Sequence, residues 1–222
     1  MAITATPGIA DDRKFTFSNE AKTLPKGGTS DVLSAEFANQ EATNWCWAAV
    51  GAGIYEMAHP KEPRSQCEVA DQVIRAQNAA NRLAPPNGDA CSDKAAFNRQ
   101  MPMEFTLKEL DLLKDFATGG YASFDLIKSE VAAGRPVVAR IAWDPNNDGL
   151  EDSAHFVAIT GWSTNNGEPT VYVLDPQGSA GLTATPSPCP YDKLIKAYLN
   201  SGHWVSTFFV SDLGARPAPC RR

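Results

Sequence analysis

Apolar positions follow a helical period along the first part of the chain and a strand period along the last. From Cys46 to about His59, "CWAAVGAGIYEMAH" is Ala-rich with apolar residues at helical spacing, and Pro60 stops it. "SQCEVADQVIRAQNAANR" opens on a serine cap and predicts a second helix. "PPNGDACSD" is turn chemistry, followed by a short helix to about Arg99. "TLKELDLLKDFAT" places Leu107, Leu110 and Leu113 on one helical face behind Thr106 as cap. In "SFDLIKSEVAAGR", Ser123 caps an amphipathic helix and Gly134 ends it before Pro136.

The period then changes. "PVVARIAW" (136–143), "HFVAITGW" (155–162), "TVYVLD" (170–175) and "HWVSTFFVSD" (203–212) are β-branched and aromatic runs separated by turn signals. "YDKLIKAYLN", between the last two, reads as a short helix. Helices first and strands afterwards predict an α+β chain. A helical lobe over about 35–134 packs against an antiparallel β-sheet or barrel lobe over about 135–222, with a site in the cleft between them. Residues 1–34, rich in Thr, Gly, Pro and charge, read as a loosely ordered lead-in.

Composition narrows the function. The chain has 222 residues, 43% apolar and 21% charged, enough for one large domain or two small lobes. A net charge of −6 without a Lys/Arg run argues against nucleic acid and anionic membrane surfaces as partners. No stretch approaches the roughly 18 consecutive apolar residues of a membrane span. The N-terminus lacks the basic and apolar regions of a secretory signal, so any export would use a specialised route. "DPNNDGLED" (144–152) opens like a calcium loop, but His155 stands where the bidentate Glu belongs. It reads as a solvated acidic loop over the cleft, and no metal or cofactor is expected.

Cysteines 46, 67, 91, 189 and 220 make an odd count without metal-ligand spacing. Cys67–Cys91 and Cys189–Cys220, each near in sequence and flanked by turn residues, are the expected bridges, which leaves Cys46 reduced. Cys46 falls in the first turn of its helix, with Thr43 or Asn44 as the expected cap. Backbone N–H groups and the positive helix end there stabilise an anionic sulfur, although a packed structural cysteine fits the position as well. Of the three histidines, His59 lies at the far end of the same helix, roughly 20 Å away. His203 opens the last strand without a supporting neighbour. His155 opens an apolar strand, and Asp175 ends the neighbouring apolar strand, well placed to hold an imidazole. Gln40, six residues before Cys46, can join the Cys46 N–H in binding an oxyanion. Trp45, Trp47 and Trp162 are substrate-cleft candidates: of Trp45 and Trp47 one is expected to pack in the lobe interface and the other to line the cleft, and Trp162 either shields the His155–Asp175 contact from water or packs as core.

Gln40, then "NWCWAA", "AHFVAITGW" and "VYVLDPQG", resembles the papain-like cysteine peptidases, and within them the bacterial AvrRpt2-like, C39-like and C70-like branch. The resemblance spans most of residues 34–212. It implies Cys46 as nucleophile, His155 as base, Asp175 as orienting acid and Gln40 as oxyanion donor. It also implies a protein or peptide substrate cleaved through a thioester, an effector or toxin role, and a cognate inhibitor or immunity protein. Two departures stand out. Plant and lysosomal members carry Cys-Gly-Ser or Cys-Gly-Ala where this chain has "TNW", so the disulfide that uses that cysteine is missing. Their third catalytic residue is usually Asn, and here it is Asp. A glutamine deamidase or transglutaminase would use the same four groups, and a binding module could keep the scaffold without turnover.

Overall fold

The computed structural model describes residues 14–15, 29–144, 151–165, 167–179 and 181–213. In chain order the strands and helices are β1 (Lys14–Phe15), β2 (Ser30–Val32), β3 (Phe37–Ala38), α1 (Cys46–Ala58), α2 (Gln66–Ala80), α3 (Met103–Glu109), β4 (Leu113–Thr118), β5 (Tyr121–Ala122), α4 (Phe124–Ala132), β6 (Val137–Trp143), β7 (Ser153–Asn165), β8 (Glu168–Leu174), β9 (Thr183–Ala184), β10 (Ser187–Pro190), α5 (Tyr191–Lys196) and β11 (His203–Val210). The main sheet has seven strands in the order β10-β8-β7-β6-β11-β4, with β2 pairing β7, and its pairings are antiparallel.

Period-2 alternation divides the sheet's side chains between two cores. Val138, Phe156, Ala158 and Phe208 face α1, α2 and α3. Val137, Val157, Ile159 and Phe209 face the opposite way, among residues of α4 and α5. The result is three layers, and α4 packs across the sheet from α1. The two expected lobes are therefore less cleanly divided in sequence than at residue 134. Strands β2 and β4 come from earlier in the chain yet belong to the sheet.

Helix α1 is the centre of its layer, with every residue from Cys46 to Tyr55 buried. Its alanines and glycines allow this by letting neighbours approach closely. A Cβ on Gly53 would lie 2.2 Å from the Phe37 ring. Helix α2 starts where the sequence indicates: Ser65 and Glu68 form a reciprocal capping box.

Two expected helices differ. Residues 94–97 form turns, without a helix. "TLKELDLLKDFAT" splits: α3 begins earlier, at Met103, and its Thr106 hydroxyl donates to the Pro102 carbonyl inside the helix. The chain then leaves the helix through Asp111 at φ 56 and enters β4, which pairs with β11. Edge pairing to β11 overrides helix propensity here.

The Cys67–Cys91 bridge is formed and closes a separation of 24 residues. Cys189 carries a free thiol, and Cys220 lies outside the described residues. Replacing Cys67 and Cys91 together by serine should lower the unfolding free energy by about 3 kcal/mol, the loop-entropy scale for that separation. Urea denaturation measures it, and a loss below about 1 kcal/mol would mean that other contacts alone hold the loop.

Candidate active site

The sheet and α1 bring three side chains together from positions far apart in sequence. Cys46 is the first residue of α1 and His155 lies near the start of β7. Asp175 follows β8, whose Leu174 pairs with Ala158 of β7, so the chain emerges beside the histidine. His155 Nε2 and Asp175 Oδ1 are 2.6 Å apart. Because Nε2 faces the acid, Nδ1 is the ring nitrogen left for its hydrogen bond with Cys46.

Burial pulls the His155 imidazolium toward deprotonation. The hydrogen bond to Asp175, the hydrogen bond to Cys46 and the charges of both outweigh it, and raise the pKa from 6.5 to about 9. Burial works against the Asp175 carboxylate too. The hydrogen bond and charge of His155, the Tyr198 hydroxyl and the Gln177 N–H together hold it below the usual carboxylate range. Tyr198 Oη donates to Asp175 Oδ2 at 2.6 Å, and Gln177 N donates to Oδ1 at 2.8 Å. Each carboxylate oxygen is thus engaged, which fixes its orientation.

Tyr198 was not visible in the sequence. It follows α5 in an irregular return where Leu199 and Asn200 have positive φ, and no spacing rule ties such a position to Asp175.

Cys46 and His155 line a cavity of about 510 Å³. One wall comes from Gln100, Met101 and Pro102. The other is a row across adjacent strands, Thr118, Ser206, Arg140 and Phe156. Arg140 forks onto the Glu151 carboxylate. Residues 145–150 of the acidic loop lie outside the described residues. Asp175 and Tyr198 line a second cavity of about 560 Å³.

The remaining sequence candidates fall in different places. Trp47 lines the first cavity and donates its indole N–H to Arg99 O at 2.9 Å. Trp45 does not line it: the ring is fully buried in the helical core and donates to Phe97 O at 3.0 Å. Trp162 is likewise not a cleft residue. A register shift between Ile159 and Gly161 reverses the alternation of β7 and turns Trp162 into the opposite core. Tyr198, just beyond α5, covers Asp175 instead.

Neither Thr43 nor Asn44 caps α1. Trp45 occupies the N-cap without a side-chain bond, and the two expected caps turn toward Asn98. Gln40 Nε2 donates to Thr43 O at 2.9 Å and Ala42 O at 3.2 Å, so its amide is fixed against the turn that leads into Cys46.

The Peptidase_C39 like family model matches residues 32–204. The chain belongs to the Peptidase_C39 like family. It is a papain-like cysteine peptidase with an α+β fold. Among solved structures, a chain from a study of antibody cross-reactivity between the mite allergens Blo t 1 and Der p 1 has TM-score 0.51 at 14% identity, covering 90% of this chain and 75% of that one. Xylellain, a cysteine protease from Xylella fastidiosa, aligns with TM-score 0.47 at 13% identity, covering 92% of this chain and 94% of that one. Digestive procathepsin L 3 from Tenebrio molitor larval midgut aligns with TM-score 0.48 at 13% identity, covering 92% and 76%. No curated protein matches the chain.

Proposed function

We propose that this peptidase cleaves internal peptide bonds of a protein substrate through a thioester at Cys46. The His155–Asp175 hydrogen bond, with Cys46 acting on the same imidazole and both Cys46 and His155 lining a cavity at the start of α1, carries the reading. The Cys46 sulfur attacks the scissile carbonyl carbon and the His155 imidazolium gives its proton to the leaving amine. Water, deprotonated by the now neutral imidazole, then attacks the thioester and releases the acid. The Cys46 N–H lies in the first helical turn, where amides have no intrahelical acceptor, and faces the developing oxyanion. Gln40 joins it when the oxyanion replaces one turn carbonyl as acceptor of Nε2. An effector or toxin role is supported by the Gln…Cys-Trp…His…Asp order shared with the bacterial branch. The test is a survey of new protein N-termini in a proteome treated with wild type or Cys46→Ala. Sites that appear only with wild type support cleavage, whereas one-dalton mass shifts without new termini would replace it with deamidation.

Asp175 supplies both an acceptor and a charge, and the two can be separated. A resting imidazolium carries protons on both nitrogens, so an Asn oxygen can still accept from Nε2, with its amide turned to the Tyr198 oxygen. Asp175→Asn should therefore keep turnover within about 30-fold of wild type, while Asp175→Ala loses clearly more. The pH profile gives the sign. The imidazolium is raised to about 9, so wild-type activity falls as pH rises through that value. Removing the carboxylate charge lets burial pull the pKa down, and the basic limb moves to lower pH. Equal damage from Asn and Ala, or an unmoved limb, would remove Asp175 from this role.

A further inference from the structure

We infer that Asn98 is a positioning residue that locks the peptide unit between Thr43 and Asn44, and through it the oxyanion-binding side of the Cys46 site. The inference rests on the proposed peptidase chemistry of Cys46.

Both polar groups of that one peptide unit are held by side chains from opposite directions. Its N–H donates to Asn98 Oδ1 at 2.9 Å, and its carbonyl accepts from Gln40 Nε2 at 2.9 Å. Asn98 adds two further bonds. Its Nδ2 donates to Thr43 Oγ1 at 2.8 Å, and its backbone carbonyl accepts from Asn44 Nδ2 at 3.4 Å. The flanking carbonyls continue the pattern, since Phe97 O takes the Trp45 indole and Arg99 O takes the Trp47 indole. Three consecutive residues, 97 to 99, thus grip the segment 43–47 that carries the nucleophile.

The consequence is specific. A peptide unit restrained only at its carbonyl can rotate, and a rotation here would carry the Gln40 amide with it. The His155–Asp175 pair belongs to the opposite wall and has no bond to Asn98, so the thiol's proton acceptor stays in place. Loss of Asn98 therefore affects oxyanion binding without affecting the reactivity of the sulfur.

Two thiol probes read these separately. Iodoacetamide alkylates Cys46 through a displacement that develops no oxyanion. A peptide aldehyde forms a hemithioacetal, in which sulfur bonds to the carbonyl carbon and the oxygen becomes the group to be stabilised. The aldehyde is the tightest wild-type binder from a panel varied beside the carbonyl. Asn98→Ala should weaken its binding about tenfold and Thr43→Val about fivefold, the scale of one or two hydrogen bonds. Iodoacetamide rates at pH 6 should stay within about threefold. Thr43→Ser, which keeps the Oγ acceptor, should remain within about twofold of wild type for both probes. Thr43 is exposed, so its valine variant keeps the test valid if Asn98→Ala unfolds. Aldehyde binding unchanged in Thr43→Val, or both probes weakened together, would overturn the positioning role. A wild type in which neither probe selects Cys46 would instead overturn the peptidase assignment of Cys46.

Discussion

Cys46→Ala is expected to abolish turnover, with a loss of about 10,000-fold or more, while the protein unfolds at an unchanged temperature. The chemistry demands an atom that can bond to the carbonyl carbon and later leave, and alanine offers none at this position. The residual rate is then limited to what binding and oxyanion stabilisation provide alone. Stability should survive for a local reason. Cys46 is 8% exposed, and its sulfur borders the cleft cavity instead of filling closed core. Truncation there enlarges an open space and leaves no sealed void, so the usual cavity cost does not arise. Alanine also suits the Ala-rich helix that follows. Thermal unfolding and peptidase activity measured on one preparation check both halves, and activity within tenfold of wild type would end the assignment.

Gln40→Ala is expected to cost roughly 100- to 1,000-fold in turnover, the scale for one oxyanion donor. Its geometry makes the expectation sharper than its position in the sequence does. The amide is not free to wander: Nε2 is held by the carbonyls of Ala42 and Thr43, and Gln40 N donates to Pro176 O at 2.8 Å, next to Asp175. Gln40 therefore ties the turn before Cys46 to the segment that carries Asp175. The loss should fall mainly on kcat, because the oxyanion exists only after attack. A loss below about threefold would remove Gln40 from the reaction.

Which of these residues could be read from the chain follows from where each sits. Cys46, His155 and Asp175 stand at the ends of strongly patterned elements: an Ala-rich helix and two apolar strands. Their types and order are unusual enough to stand out. What sequence periodicity missed depends on tertiary detail. Leu107, Leu110 and Leu113 imitate one helical face, because a helix and the strand after it bury leucines around the same core. Trp162 follows Gly161 on the histidine strand, and a register shift in β7, invisible to the sequence pattern, puts it in the opposite core. Tyr198 and Asn98 lie in irregular segments, where no period links a side chain to its partner. Their roles emerge only once Asp175 and the 43–44 peptide unit are fixed in space.

The central claim is that His155, held charged by Asp175, activates the Cys46 sulfur. The most direct measurement is the rate of iodoacetamide labelling at each cysteine at pH 6, resolved by peptide mass, in wild type and His155→Ala. Cys46 should label faster than Cys189 in wild type, and the histidine variant should lose that advantage. Equal labelling of the two cysteines in wild type, or an advantage for Cys46 that persists without His155, would contradict the account.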